Sequence, residues 1–308
     1  MYSQKISAMR AGLVAIMLMA GSIDLYAQVA ETSVSVVAST TALRVTPLDP
    51  TLDPTLLTAE AKRLADHPLQ KALHFATEHY DYIRQNVNDY TSLLVRRERI
   101  AGQLRGYEYI KLKIREQRET ADKGSVPFSA YLKFLKPDSV KNREVLYLRG
   151  QNDGDMLVRN GGKRLAFLNL WLDPAGDIAL RDNRYPITDL GLENLILRLI
   201  EVAEAELKYD ECEVKVYDHA KIDGQLCTAV EVLHPVPRDH FRFHLARIFV
   251  DKELHVPVRF ACYGWPNEEG GKLPLLEEYT YRKLKLNVGL TDEDFTRNHP
   301  DYGFKKES

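Results

Sequence analysis

The 308-residue sequence predicts an α+β fold: a strongly curved antiparallel β-sheet of about nine strands around two main helices. Three observations carry this reading. Two stretches, 69–87 and 189–208, repeat apolar residues at three- and four-residue steps, which is helical periodicity. Between and after them run short segments of period two, separated by Gly, Asn and Asp turns. The connections between those segments are too short for parallel crossovers. So wide a sheet curls to manage its twist, and its concave face then wraps the helices.

The elements follow in order. Lys5 and Arg10 precede an uncharged apolar run, residues 11–21, and Leu25-Tyr26-Ala27 offers a cleavage site. That is the pattern of a secretory signal, 1–27, and the run is short of the roughly 20 apolar residues a bilayer span needs. No Cys lies near the cleavage site, so lipid attachment there is not expected. Residues 28–65 read as a flexible Thr/Ser/Pro-containing linker with a short helix at 55–65. Leu48-Asp49-Pro50-Thr51 repeats there as Leu52-Asp53-Pro54-Thr55. A single domain is expected over 66–304, with a tail at 305–308. Asp66 is a candidate N-cap and Pro68 fits a first turn; Leu69, Ala72, Leu73, Ala76, Tyr80, Ile83 and Val87 then form one stripe.

Strands are expected at 90–99 and 107–119, paired across a Gly-containing turn, because Ile110, Leu112 and Ile114 alternate with polar residues. Further strands at 128–136, 143–149, 155–159 and 164–170 are broken at Lys136-Pro137-Asp138, Asn152-Asp153-Gly154 and Asn160-Gly161-Gly162. The second helix, 189–208, can be capped by Thr188 or Asp189 and presents Leu192, Leu195, Ile196, Leu199, Val202, Ala203 and Leu207. Strands resume at 212–220, 225–234, 242–251, 256–264 and 276–286, with turns at Ile222-Asp223-Gly224 and Asp251-Lys252-Glu253.

A net charge of −2 with both signs mixed gives no electrostatic footprint for nucleic acid. Cys212, Cys227 and Cys262 are odd in number and match no metal-knuckle spacing; they read as small buried side chains. The nucleophile elbow and the zinc-protease pattern are absent, and Gly161-Gly162-Lys163 is a hairpin turn without the rest of a phosphate loop. His74 and His79 point in different directions on a helix, and His240 and His244 would stand about 13 Å apart on a strand, so neither pair can chelate a metal. Asp153 and Asp155 belong to a turn, and Asp292, Glu293 and Asp294 to a short helix capped by Thr291. No catalytic residue, metal or cofactor is expected.

Three stretches resemble the LolA/LolB lipoprotein carriers and the N-terminal domain of RseB-type sensors. They are Leu132-Lys133-Phe134-Leu135-Lys136-Pro137, Leu170-Trp171-Leu172-Asp173-Pro174, and the closing segment from Lys283 to Phe295. That resemblance implies an exported half-barrel closed by helices around an apolar cavity. Residues Asn287 to Phe295 and the ending Pro300-Asp301-Tyr302-Gly303-Phe304 are similar to an uncharacterised family of exported bacterial proteins, a domain of unknown function, over about residues 67–304. The long linker and longer first helix depart from the carriers. The cavity arginine of some carriers has only Lys136 as a counterpart by position.

Alternating apolar positions would face the helices: Leu93, Val95, Ile110, Leu112, Ile114, Leu132, Phe134, Leu146, Leu148, Ile248, Val250, Val258 and Phe260, opposite Leu195 and Leu199. They either pack the helices solidly or line a cavity for an apolar ligand. The function expected is a non-enzymatic binding protein, periplasmic or otherwise extracytoplasmic, carrying or sensing a lipid, a lipoprotein acyl chain or another apolar ligand, with an envelope protein as a further partner. The alternatives are an exported hydrolase with a site assembled from distant residues, and a tethered interaction module.

Overall fold

The protein is described by a computed structural model covering residues 61–120, 124–162 and 168–305. The expected signal peptide, 1–27, and residues 28–60 of the expected linker lie outside the described residues. Residues 61–66 are helical, and Arg63 reaches the carbonyl of Leu207 at 3.2 Å and Asp210 at 2.7 Å. Helix α1, Leu69–Asn86, buries Leu69, Leu73 and Ile83. Asp66 does not cap it: it belongs to the preceding helical turn, and the Leu69 amide donates instead to His67 Nδ1 at 3.2 Å. The chain then turns into β1, Asp89–Ile100.

The remaining strands are β2 (Gln103–Leu104), β3 (Glu108–Arg115), β4 (Arg118–Thr120), β5 (Gly124–Val126), β6 (Ser129–Lys136), β7 (Glu144–Leu148), β8 (Met156–Arg159) and β9 (Asn169–Leu172). After the short helix α2 (Asp177–Leu180) and helix α3 (Leu192–Glu206) come β10 (Glu213–Ile222), β11 (Gln225–Leu233), β12 (Leu245–Asp251), β13 (Pro257–Tyr263) and β14 (Leu275–Leu286). Among the described residues twelve strands form one antiparallel sheet, in the order β10-β11-β12-β13-β14-β1-β3-β6-β7-β8-β9 with β2 beside β1. The fold class is as expected, α+β with a curved antiparallel sheet around two main helices, and the sheet is wider than nine strands. Of the strand expected at 164–170, residues 163–167 lie outside the described residues.

Two further expectations change. Helix α3 begins after Gly191, whose φ of +128° only glycine adopts readily, while Thr188 and Asp189 form a separate turn before it. His240 and His244 precede β12: His240 stacks on Tyr209 with ring centroids 3.7 Å apart, and His244 Nδ1 donates to the His234 carbonyl at 2.8 Å. The three cysteines are buried and free, Cys227 on β11 and Cys262 on β13.

The main core lies between the concave face and the helices. Ile83, Val87, Leu192 and Ile196 pack with Tyr90, Leu94, Ile110, Phe134 and Ile248. A second core lies on the opposite face, where the C-terminal segment crosses the sheet. Phe295 and Phe304 cover Tyr131, Leu146, Leu148 and Leu157. Tyr302 stacks on Tyr131 at 3.6 Å, Lys113 meets Asp294 at 2.7 Å, and Thr291 N donates to Asp294 at 2.9 Å. This strap explains why β7 is buried at every position. Among the described residues no helix is long and apolar enough to cross a membrane.

Candidate functional site

The helices do not fill the concave face. A cavity of about 340 Å³ remains between the sheet and a roof made by α3 and the segment before it. Such a volume is in the range of small-molecule sites, roughly 300–1,000 Å³. Its floor is apolar: Leu94 on β1, Ile110 on β3, Leu132 and Phe134 on β6, Val145 on β7 and Phe260 on β13. Leu195 and Leu199 of α3 form the roof, and the mouth carries Leu170 and Ile178, exposed at 44% and 63%. A smaller cavity of about 60 Å³ lies between both helices and β11–β13 and is lined by Leu69, Leu199, Ile248 and Phe260.

Of the residues expected to line a pocket, Ile110, Leu132, Phe134, Leu195, Leu199 and Phe260 border the large cavity, and Ile248 borders the small one. Leu112, Ile114 and Val250 face the same side but are packed core, and Val258 is buried without reaching either cavity. Four residues lie on the wrong face. Leu94, not Leu93 or Val95, points inward on β1, and Val145 and Tyr147, not Leu146 and Leu148, point inward on β7. In both strands three or more apolar residues are consecutive, so alternation alone does not choose a face. Lys136 is exposed, over the Tyr109 ring, and borders neither cavity.

One end of the cavity is polar, which the sequence did not reveal. On β1 the inward phase of Leu94 continues through Arg96 and Glu98, opposite Tyr281, Tyr279 and Glu277 of β14. Glu98 and Glu277 thus face each other across a strand pair, a destabilising placement for two carboxylates unless compensated. Compensation comes from around them. Tyr279 OH donates to Glu98 at 2.5 Å and lies 3.1 Å from Glu277; Tyr185 OH donates to Glu277 at 3.0 Å; Arg184 Nε lies 3.2 Å from Glu277. The Arg184 amide donates to Glu98 at 3.1 Å. Burial holds the Glu277 carboxyl above the usual carboxylate range, against Arg184 and the two phenols, and Glu98 adds to the rise. Burial and then Glu277 push the Tyr185 phenol up to about 12. A phenol has one proton, so Tyr279 cannot donate to both carboxylates.

Arg96 is fully engaged, with Glu108 at 2.7 Å, Asn183 at 2.6 Å and Glu98 at 3.7 Å. Among the described residues no group of three or more His, Cys, Asp or Glu is placed to hold a metal ion. His74 lies beside Glu78 at 3.6 Å, and His79 Nδ1 donates to the His255 carbonyl at 3.1 Å.

The chain belongs to the family described as protein of unknown function (DUF1571), whose model matches residues 87–304. No protein of curated function matches it. Among solved structures it is similar to a DUF1329 family protein from Desulfovibrio piger, at 15% identity over 75% of this chain and 98% of that one, with a TM-score of 0.36. A chain of the Pseudomonas aeruginosa MucA/MucB complex is 15% identical over 73% of this chain, which spans 60% of its length, with a TM-score of 0.41. A LolA superfamily protein from Nitrosomonas europaea is 10% identical, covering 72% of this chain and 96% of its own, with a TM-score of 0.28. Similarity of this size names no ligand for the present chain.

Proposed function

We propose that this member of the family is an exported binding protein whose concave cavity takes an acyl chain or a comparable apolar group. The observation that supports it is the cavity itself: about 340 Å³ of space floored by Leu94, Ile110, Leu132, Phe134 and Phe260. A sheet packed solidly on its helices has no such space. A bound acyl chain would gain the contacts these side chains lack. The exposed Leu170 and Ile178 at the mouth are where a lipid or a lipoprotein partner would enter.

The test is titration with a fluorescent fatty-acid probe. Wild type is expected to bind it, and Ile110→Trp, which fills the cavity, is expected to abolish binding with little change in the denaturant melt. Phe134→Ala is expected to weaken the probe yet cost less than the about 3–5 kcal/mol of a filled core site, because one side of the ring already faces space. No probe binding by wild type, with a full core penalty for Phe134→Ala, would refute the reading. Export has its own check: the mature protein is expected to begin near Gln28, and retention of Met1 on a cytoplasmic product contradicts it.

Glu98 and Glu277 give a specific footing to a second reading, a hydrolase. They are paired carboxylates at a cavity end, one held toward its protonated form. Turnover of an ester or glycoside that Glu277→Gln abolishes without unfolding would favour it over binding alone.

A further inference from the structure

The charges around the cavity say which amphiphile it suits. Six arginines border it, Arg96, Arg143, Arg181, Arg184, Arg198 and Arg242, and no lysine does. Four carboxylates face them, Glu98, Asp182, Asp189 and Glu277, and burial already draws Glu277 toward its neutral form. Most of the arginines are matched. Arg184 pairs with Glu277 at 3.2 Å, Arg96 with Glu108 at 2.7 Å, and Arg198 and Arg181 lie 3.7 Å from Asp189 and Asp182.

Arg242, which is exposed, and Arg143 have no such partner among the described residues, and Arg143 is the one drawn into the wall. It is half-buried immediately before β7, and among the described residues its guanidinium makes no ion pair. It lies over the ring of Phe134, 5.7 Å from the centroid, and Arg96 lies 5.9 Å from the same centroid. A cation–π contact of this kind leaves the donor N–H groups unused. Burial lowers the Arg143 pKa, against the fields of Glu108 and then Asp182, and the neighbouring Arg96 and Arg181 add smaller shares to the fall. The chain therefore holds a partly desolvated guanidinium against an apolar floor, with no carboxylate in direct contact among the described residues. A carboxylate or phosphate oxygen is the group that fork-shaped donors bind best.

We propose that the cavity selects an amphiphile with an anionic head, seated on Arg143 beside Phe134, with its chain along Leu132, Ile110 and Leu94. This rests on the cavity reading above and adds the charge of the ligand to it. The matched arginines act as positioning groups for the roof, since Arg96 is bonded to Asn183 at 2.6 Å and Arg198 lies over the Tyr185 ring at 4.8 Å.

The experiment is calorimetric titration of the full mature chain at neutral pH with three amphiphiles of equal chain length: dodecanoate, dodecanol and dodecyltrimethylammonium. Wild type is expected to bind dodecanoate at least about tenfold more tightly than dodecanol, which corresponds to 1.4 kcal/mol, and the cation least. Arg143→Gln is expected to bring dodecanoate and dodecanol together, and Arg143→Lys to restore part of the preference. A thermal melt accompanies each variant; the Arg143 guanidinium satisfies no buried acceptor, so Gln there is expected to fold. Equal binding of dodecanoate and dodecanol by wild type, or a preference that survives Arg143→Gln, overturns the charge assignment and leaves the cavity reading standing. Binding of none of the three overturns both. For a head that prefers phosphate over carboxylate, dodecyl phosphate is the fourth arm, and its loss on Arg143→Gln supports the same assignment.

Discussion

Replacing Glu144 by alanine is expected to destabilise the domain by about 2–4 kcal/mol and to release the C-terminal strap. The Glu144 side chain is fully buried at the edge of the second core. It accepts from Tyr131 OH at 2.9 Å and from the Gly303 amide at 2.7 Å, and pairs with Lys133 at 3.1 Å and Arg159 at 3.4 Å. Removing one partner of a buried ion pair costs about 3–5 kcal/mol, mostly because the other is left uncompensated. Lys133 and Arg159 keep 32% and 24% of their side-chain exposure, so water returns part of that and the range is lowered accordingly. Glu144→Gln keeps the shape and the acceptor for Gly303 and is expected to cost less, about 1–2 kcal/mol. The same geometry accounts for the glycine in Tyr302-Gly303-Phe304. A Cβ on Gly303 would come within 2.5 Å of Arg159 Nη1 and 2.8 Å of Glu144 Oε2. Urea melts measure the cost, and hydrogen exchange over 290–304 measures the strap. A loss below about 1 kcal/mol with unchanged exchange would mean that the strap is held by Phe295 and Phe304 alone.

The fold was legible where one periodicity ruled. The stripe from Leu69 to Ile83 and the face from Leu192 to Leu199 form the two main helices because each buries one side only. The turn at Asp223-Gly224 was legible because both residues have positive φ, 51° and 89°, which the Asp-Gly pair tolerates. Strand faces were less legible wherever both sides of the sheet are covered. Val145 to Leu148 reads as continuously apolar because the strap hides one face and the helices the other. The cavity's polar end was hidden for the opposite reason. Arg96, Glu98 and Glu277 look like solvent-facing positions of their strands, and only their register across β1 and β14 shows that they meet. The segment from Arg181 to Leu190 has neither period, so its part in roofing the cavity is tertiary information.

Glu116 is expected to make the domain lose stability as pH rises from about 4.5 to about 8. Its carboxyl is 2% exposed, one oxygen has no hydrogen-bond partner, and it sits beside the first turn of α3. Burial, and then the neighbouring Glu193, push it up to about 8, against Arg118, the Glu193 amide and Arg149. The sign follows from proton binding. Between the unfolded value of 4.5 and the folded value of about 8, the native chain holds a proton that the unfolded chain has released. The stability this proton supplies is therefore full at and below the unfolded pKa and is lost as pH climbs through the window, at up to about 1.4 kcal/mol per unit. Over the window the loss is on the order of 3–5 kcal/mol. Glu116→Gln mimics the protonated form, so it is expected to match wild type near pH 4 and to exceed it by several kcal/mol near pH 8. Because Tyr90 OH accepts the Leu192 amide at 3.0 Å beside the same carboxyl, ionisation of Glu116 strains the start of the helix whose Leu195 and Leu199 roof the cavity. Wild type is then expected to hold the fatty-acid probe less well at pH 8 than at pH 6, and Glu116→Gln to hold it equally at both. Melts of the two proteins across that range decide the matter, and parallel curves would show that the folded chain ionises Glu116 as the unfolded chain does.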